Sequence, residues 1–227
     1  MPGRPNEPSP TGWNTSPACS SFTRSWSTST RASGRTASSS VDKWESGRLL
    51  LRHYTPADAE SYFTMWRENA EHLREFIPDA VARLGSVAEM VKHIAWMDAG
   101  RAAGRLFIFG GWSKDGGYVG EVYMGTRSPD FSEFELGYFL VRDAVGQGFA
   151  TEAAECLVQV AFQELKVARL WARIAADNAA SIAVAMRCGF QLVARHAGGK
   201  VKKDGSVVDL LVYSLTPPTA SGQRPYR

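Results

Sequence analysis

Hydrophobic and polar positions change period several times along this chain, and each change marks an element. Arg48 to Tyr54 (RLLLRHY) is a short apolar run with strand character. Thr55-Pro56-Ala57-Asp58 behind it carries a cap, a proline at the first helical position and an acid at the third. A helix is expected from there to about Asn69. A second start, the capping box Ser86-x-x-Glu89, precedes Val87, Met90, Val91, Ile94 and Met97, whose spacing is that of one buried helical stripe. The methionines there belong to core packing.

Three β-rich runs follow, Arg105 to Trp112, Tyr118 to Arg127 and Glu133 to Val141. They are separated by the turn sequences Lys114-Asp115-Gly116-Gly117 and Ser128-Pro129-Asp130, so an antiparallel meander is expected. Beyond it the pattern alternates: helix Phe149 to Leu165, strand Leu170 to Ala175, helix Asn178 to Cys188, then strands Gln191 to His196 and Val207 to Leu215 joined around Asp204-Gly205. The order predicts an α/β fold of the α+β type, a mixed sheet of about seven mostly antiparallel strands with flanking helices. There is no internal repeat.

Composition narrows this picture. Of 227 residues 44% are hydrophobic, and no apolar run approaches the roughly 18 residues of a membrane span, so a soluble globular protein without a membrane partner is expected. The net charge of +3 sits in residues 1–41, where Arg4, Arg24, Arg31 and Arg35 face only Glu7. The rest is neutral, which argues against nucleic acid as a partner. Residues 1–41 are rich in Ser, Thr, Pro and Arg and too poor in large aliphatic side chains to offset the entropy of ordering, so a disordered segment is expected there. The segment resembles an organellar transit peptide in composition but has no amphipathic period. Alternatively, natural synthesis begins near Val41-Asp42-Lys43-Trp44. A folded domain over residues 42–217 and a short flexible tail over 218–227 complete the expected organisation. Cys19, Cys156 and Cys188 form no CxxC pair, and the four histidines lack ligand spacing. A reducing, cytoplasmic compartment and no metal site follow.

The chemistry-bearing stretch is Val145-Gly146-Gln147-Gly148-Phe149-Ala150-Thr151, set between a strand and a helix. Small residues there let backbone N–H groups turn toward an anion at the positive end of the helix dipole. Glycine pairs also serve simply as turns. A dinucleotide fingerprint needs a third glycine where this chain has Thr151, and an acid about 20 residues on, whereas Asp177 lies farther. The Walker pattern fails for want of Gly-Lys-Ser or Gly-Lys-Thr.

Glu135-Leu136-Gly137-Tyr138-Phe139-Leu140, the run from Gly146 to Ala153, Asn178-x-x-Ser181 and Gly189-Phe190 together resemble the GNAT acyltransferase superfamily, and within it the RimJ/RimL-like branch. The similarity spans residues 48–216. It implies an acetyl-CoA-dependent N-acetyltransferase that needs no metal and acts as a monomer or homodimer. Backbone groups of Leu140 or Val141 would steady the thioester oxygen, residues 145–151 would hold the pyrophosphate of acetyl-CoA, and Asn178 would contact the cofactor near its pantetheine. The family's cradle usually opens with Gln or Arg, whereas Val145 stands here. The helical Tyr that many members use as an acid is replaced by Ala185, which makes Ser181 the candidate donor to the sulfur; a first-turn serine can equally serve as a helix cap.

An ammonium acceptor must lose a proton before it attacks. Glu135, on the strand beside the expected thioester, is the candidate base through a water, or else it pairs with a neighbouring arginine. Glu121, Tyr123, Trp66, Phe76 and Gly198-Gly199-Lys200 are candidate walls of the acceptor slot. The expected acceptor is a peptide or protein α-amine or another small amine. The alternatives are an antibiotic or polyamine, or a domain that binds acyl-CoA as a sensor without chemistry.

Overall fold

A computed structural model of the chain describes residues 43–74, 77, 81–82, 85–202 and 204–217. The expected disordered segment, the Val41-Asp42 start, Phe76 and the tail from 218 lie outside the described residues.

Eight strands form one sheet in the order β1-β2-β3-β4-β5-β6-β8-β7. They are β1 (Lys43–Glu45), β2 (Leu49–Arg52), β3 (Leu106–Ser113), β4 (Tyr118–Thr126), β5 (Glu133–Leu140), β6 (Arg169–Ala175), β7 (Gln191–Val201) and β8 (Val207–Leu215). Among the described residues every neighbouring pair is antiparallel except β5 and β6. The count exceeds the expected seven because β1, three residues with charged ends, is too short to show a period, yet Trp44 docks on the core. β7 also outruns its expected end at His196. Gly198-Gly199-Lys200 lies inside that strand, at a register shift, and the hairpin tip is Lys202 to Ser206.

The helices are α1 (Ala59–Glu68), α2 (Ala70–Leu73), α3 (Val87–Ala102), α4 (Phe149–Gln159) and α5 (Ala179–Arg187). Thr55 and Asp58 make the predicted capping box, and Arg52 grips Asp58 at 2.9 and 2.7 Å. That guanidinium, followed by the Thr55 backbone and hydroxyl, holds the Asp58 carboxyl down at about 2 despite partial burial. Ser86 caps α3 by accepting from the Glu89 amide. α4 ends earlier than the predicted Leu165 and passes into a five-residue π-helical turn, Val160–Glu164, that buries Val160 and Ala161. Among the described residues no helix is long and apolar enough to cross a membrane.

Side-chain alternation divides the two faces. Glu121 and Phe139, directly paired across β4 and β5, point toward α1, where they meet Tyr62 and Trp66. Their neighbours Val122 and Tyr138 point the other way, toward the face on which α4 packs against β2, β4 and β5.

Gly137 owes its place in the Glu-Leu-Gly-Tyr run to close approach: a Cβ there would meet the Tyr123 ring at 2.4–2.5 Å. Gly137→Ala should therefore cost about 1–3 kcal/mol of stability through overpacking, read as a lowered urea midpoint. Recovery in the Tyr123→Ala background would show that the ring is the obstacle.

Candidate active site

The loop before α4 turns on two glycines in the left-handed region, Gly146 at φ +80° and Gly148 at φ +84°, a conformation that costs a Cβ-bearing residue. Gly148 is the residue preceding the helix and has no side chain with which to cap it. The N–H groups of Phe149, Ala150 and Thr151 therefore reach the helix mouth without an intrahelical acceptor. A Cβ at Gly146 would find no atom within 4 Å, so the space beside that turn is open. This geometry suits a diphosphate. The Gln147 side chain folds back to the Asp143 carbonyl at 2.6 Å and tightens the loop, while Val145 is exposed.

Beside the cradle the sheet opens. β5 and β6 pair only through Glu133, Glu135 and the residue between them, against Arg169–Trp171. From there β5 stays with β4 and β6 with β8, so the facing edges of the two parallel strands diverge. The Val141 amide is spent on the Val119 carbonyl at 3.1 Å. Because antiparallel ladders alternate, the Leu140 amide, one residue back, faces the opened edge.

Asn178 sits at the start of α5 and caps it, accepting from the Ser181 amide at 3.0 Å. That contact leaves the Ser181 hydroxyl free of any capping duty. Near it, the buried Tyr138 hydroxyl makes no well-formed hydrogen bond. Burial raises this phenol, with Ser181 pulling weakly the other way, so it stays protonated at neutral pH.

Two carboxylates occupy the α1 face. Glu135 is bracketed by arginines, accepting from Arg173 Nε at 2.9 Å and lying 3.4 Å from an Arg127 amino group. Glu121 is 3% exposed. One oxygen accepts from the Tyr62 hydroxyl at 2.6 Å, and the other has no partner. Burial pushes this carboxyl up to about 7, with the Tyr62 and Tyr54 hydroxyls holding it from rising further. Tyr54 in turn shares a 2.6 Å hydrogen bond with Tyr118, which borders a cleft of about 640 Å³ beside α1.

The structure thus leaves Leu140, not Val141, with an amide on the opened edge, because the Val141 amide is already bonded to Val119 on the β4 side, sets Ser181 beside Tyr138 of β5, and ties Glu135 into an ion-pair cluster. Glu121, Tyr123 and Trp66 share a single face, as slot walls would. Glu121 is a buried titrating group that the sequence signals only as a lone charge inside the apolar β4 pattern. Cys156 and Cys188 are pushed by burial to about 11 and 12, too high for nucleophilic thiolates. Among the described residues no group of three or more His, Cys, Asp or Glu could hold a metal.

Residues 48–191 match the family model for the acetyltransferase (GNAT) domain. The chain is 26% identical over 176 residues to the uncharacterized N-acetyltransferase YoaA of Bacillus subtilis (strain 168), covering 77% of this chain and 96% of that protein. Its fold is similar to that of RimL, the ribosomal L7/L12 alpha-N-protein acetyltransferase in complex with coenzyme A. There the TM-score is 0.69 at 20% identity, over 75% of this chain and 95% of that one. It is also similar to Mycobacterium smegmatis RimJ in complex with CoA-disulfide, with a TM-score of 0.64 at 22% identity, over 74% and 81% of the two chains.

A carboxyl raised from its unfolded value near 4.3 to about 7 makes the folded state lose stability relative to the unfolded state as pH rises through that interval. The loss is absent below about 4 and complete above about 7. Glu121→Gln should abolish this component, roughly 3–4 kcal/mol, so that wild type and variant diverge with rising pH in chemical denaturation.

Proposed function

The chain belongs to the GNAT acetyltransferase family and is an acetyl-CoA-dependent N-acyltransferase; we propose that its acceptor is the α-amine of a peptide or protein, with Glu121 as the group that receives the amine's proton. Acetyl-CoA supplies an activated acetyl thioester when bound. Everything else falls to the chain.

The amides of Gly146 to Thr151 hold the diphosphate, and Asn178 flanks the pantetheine. The Leu140 amide, turned to the opened edge, steadies negative charge developing on the acyl oxygen. Ser181, with the protonated Tyr138 beside it, donates toward the departing sulfur in place of the tyrosine that Ala185 cannot provide. Holding amine and thioester together can account for on the order of 7–11 kcal/mol of the barrier.

The observation that carries the proton-acceptor role is the buried carboxyl of Glu121, held near neutrality with one oxygen unengaged. A base with that affinity is matched to neutral pH. Glu135 has both oxygens directed at arginines, which suits a role in orienting the acceptor. A chain end suits the acceptor side because Arg127, Trp171 and Arg173 are each partly exposed, which leaves them within reach of a polypeptide acceptor. The likeness to an alpha-N-protein acetyltransferase supports the same reading.

A thiol-release screen over peptides with free N-termini, their N-terminally blocked forms, polyamines and aminoglycosides tests this. Release is expected with free α-amines and not with the blocked peptides; release only with polyamines or aminoglycosides would overturn the acceptor assignment. With the acceptor in hand, Glu121→Gln should lower kcat by about 10²–10⁴ at pH 7 and by less at high pH, where the amine is already neutral. Glu135→Gln should act mainly on the acceptor KM. Reversal of those two effects would return the base to Glu135.

A further inference from the structure

Glu152 lies in the first turn of α4, where a free carboxylate would oppose any anion bound at the helix mouth. It is not free. The Arg48 amide donates to one oxygen at 2.8 Å, the Ser46 hydroxyl donates to the same oxygen, and the Arg48 guanidinium donates to the other through Nε at 2.8 Å. An amino group of the same guanidinium stands 2.8 Å from that second oxygen. Burial alone would raise this carboxyl, yet Ser46 and Arg48 together lower it, so it stays ionised and paired.

Arg48 reaches further into the cradle. A terminal nitrogen donates to the Gln147 carbonyl at 2.9 Å, in the middle of the loop. The guanidinium carbon stacks 4.7 Å from the Phe149 ring centroid, over the first residue of the helix. A Cβ placed on Gly148 would come within 3.4 Å of the other terminal nitrogen. This one side chain, from the residue just before β2, therefore reaches Gln147 and Phe149, lies beside Gly148 and grips the acid behind them. An arginine has five N–H donors, and the three engaged here leave one on each terminal nitrogen. The side chain is 53% exposed.

We propose that Arg48 is the cationic side-chain ligand of the diphosphate cradle, and that by pairing with Glu152 it keeps the mouth of α4 electropositive. The charge comes from the turn before β2, far upstream in the chain, whereas Val145 in the loop offers no polar atom. The two roles are physically linked: Glu152 aims the guanidinium fork, and the fork cancels the carboxylate that would repel the ligand. This inference rests on the acetyl-CoA reading above.

Calorimetric titration with acetyl-CoA, read alongside melting temperature, tests it without needing the acceptor. Arg48→Met should weaken binding by at least about 10-fold, with Arg48→Lys intermediate. Adding Glu152→Gln to Arg48→Met should recover a substantial part of the loss, because the unpaired carboxylate is gone. Should Arg48→Met fail to fold, Arg48→Lys alone and in combination with Glu152→Gln carries the same comparison. Wild-type affinity in a folded Arg48→Met protein would overturn the ligand role, and no recovery on removing Glu152 would overturn the neutralising role. Wild-type protein that gives no heat with acetyl-CoA would overturn the cofactor reading and this proposal with it.

Discussion

The function of this molecule depends on one unfinished pairing. β5 and β6 are the only parallel neighbours among the described strands, and they stay together for three residue pairs before each continues with its other partner. A strand edge left inside a sheet exposes amides and carbonyls that need partners, and the divergence places them between the cradle at the top of α4 and the start of α5. The sheet can hold this opening because its flanks are secured. β4 clamps β5 along seven residue positions, β8 clamps β6, and buried side chains of α4 fill one face while α1 and α3 fill the other.

Electrostatics divides the two sides of that opening. On the cradle side, helix dipole and backbone amides favour an anion, and Glu152, the acid in the first turn of α4, is paired with Arg48. On the α1 face, negative groups are managed in two ways. Glu135 is paid with two guanidiniums, whereas Glu121 sits among tyrosines with a single good hydrogen bond. Desolvation without a cation is what raises a carboxyl toward neutrality, so the residue without a counterion is the one suited to exchange a proton. The Tyr62, Tyr54 and Tyr118 hydroxyls stay protonated through burial and supply the polar lining around it.

Much of this was legible in the sequence, for physical reasons that differ by element. Glycines at 146 and 148 between an apolar run and a helical period could be read as an anion cradle because backbone conformation demands them. Capping boxes at Thr55 and Ser86 announced two helix starts. The meander declared itself through turn residues. What stayed hidden depended on contacts distant in sequence. The partners of Glu135 lie on β6 and at the end of β4, the partners of Glu152 lie in the turn between β1 and β2, and the desolvation of Glu121 arises only when α1 packs over β4. β1 was invisible because three residues carry no period, and the length of β7 because its exposed, glycine-containing stretch resembles a turn until β8 pairs with it.

Acetyl-CoA bound along the opened edge, with its diphosphate on the α4 mouth, would perturb a defined set of backbone amides. Backbone amide NMR during titration with acetyl-CoA tests this placement most directly. The largest shifts are expected on Leu140, on Gly146 to Thr151 and on Asn178 to Ser181, with little change in β1 or at the β7–β8 tip. Shifts confined to the cleft beside α1, or none on the cradle amides at saturating ligand, would contradict it.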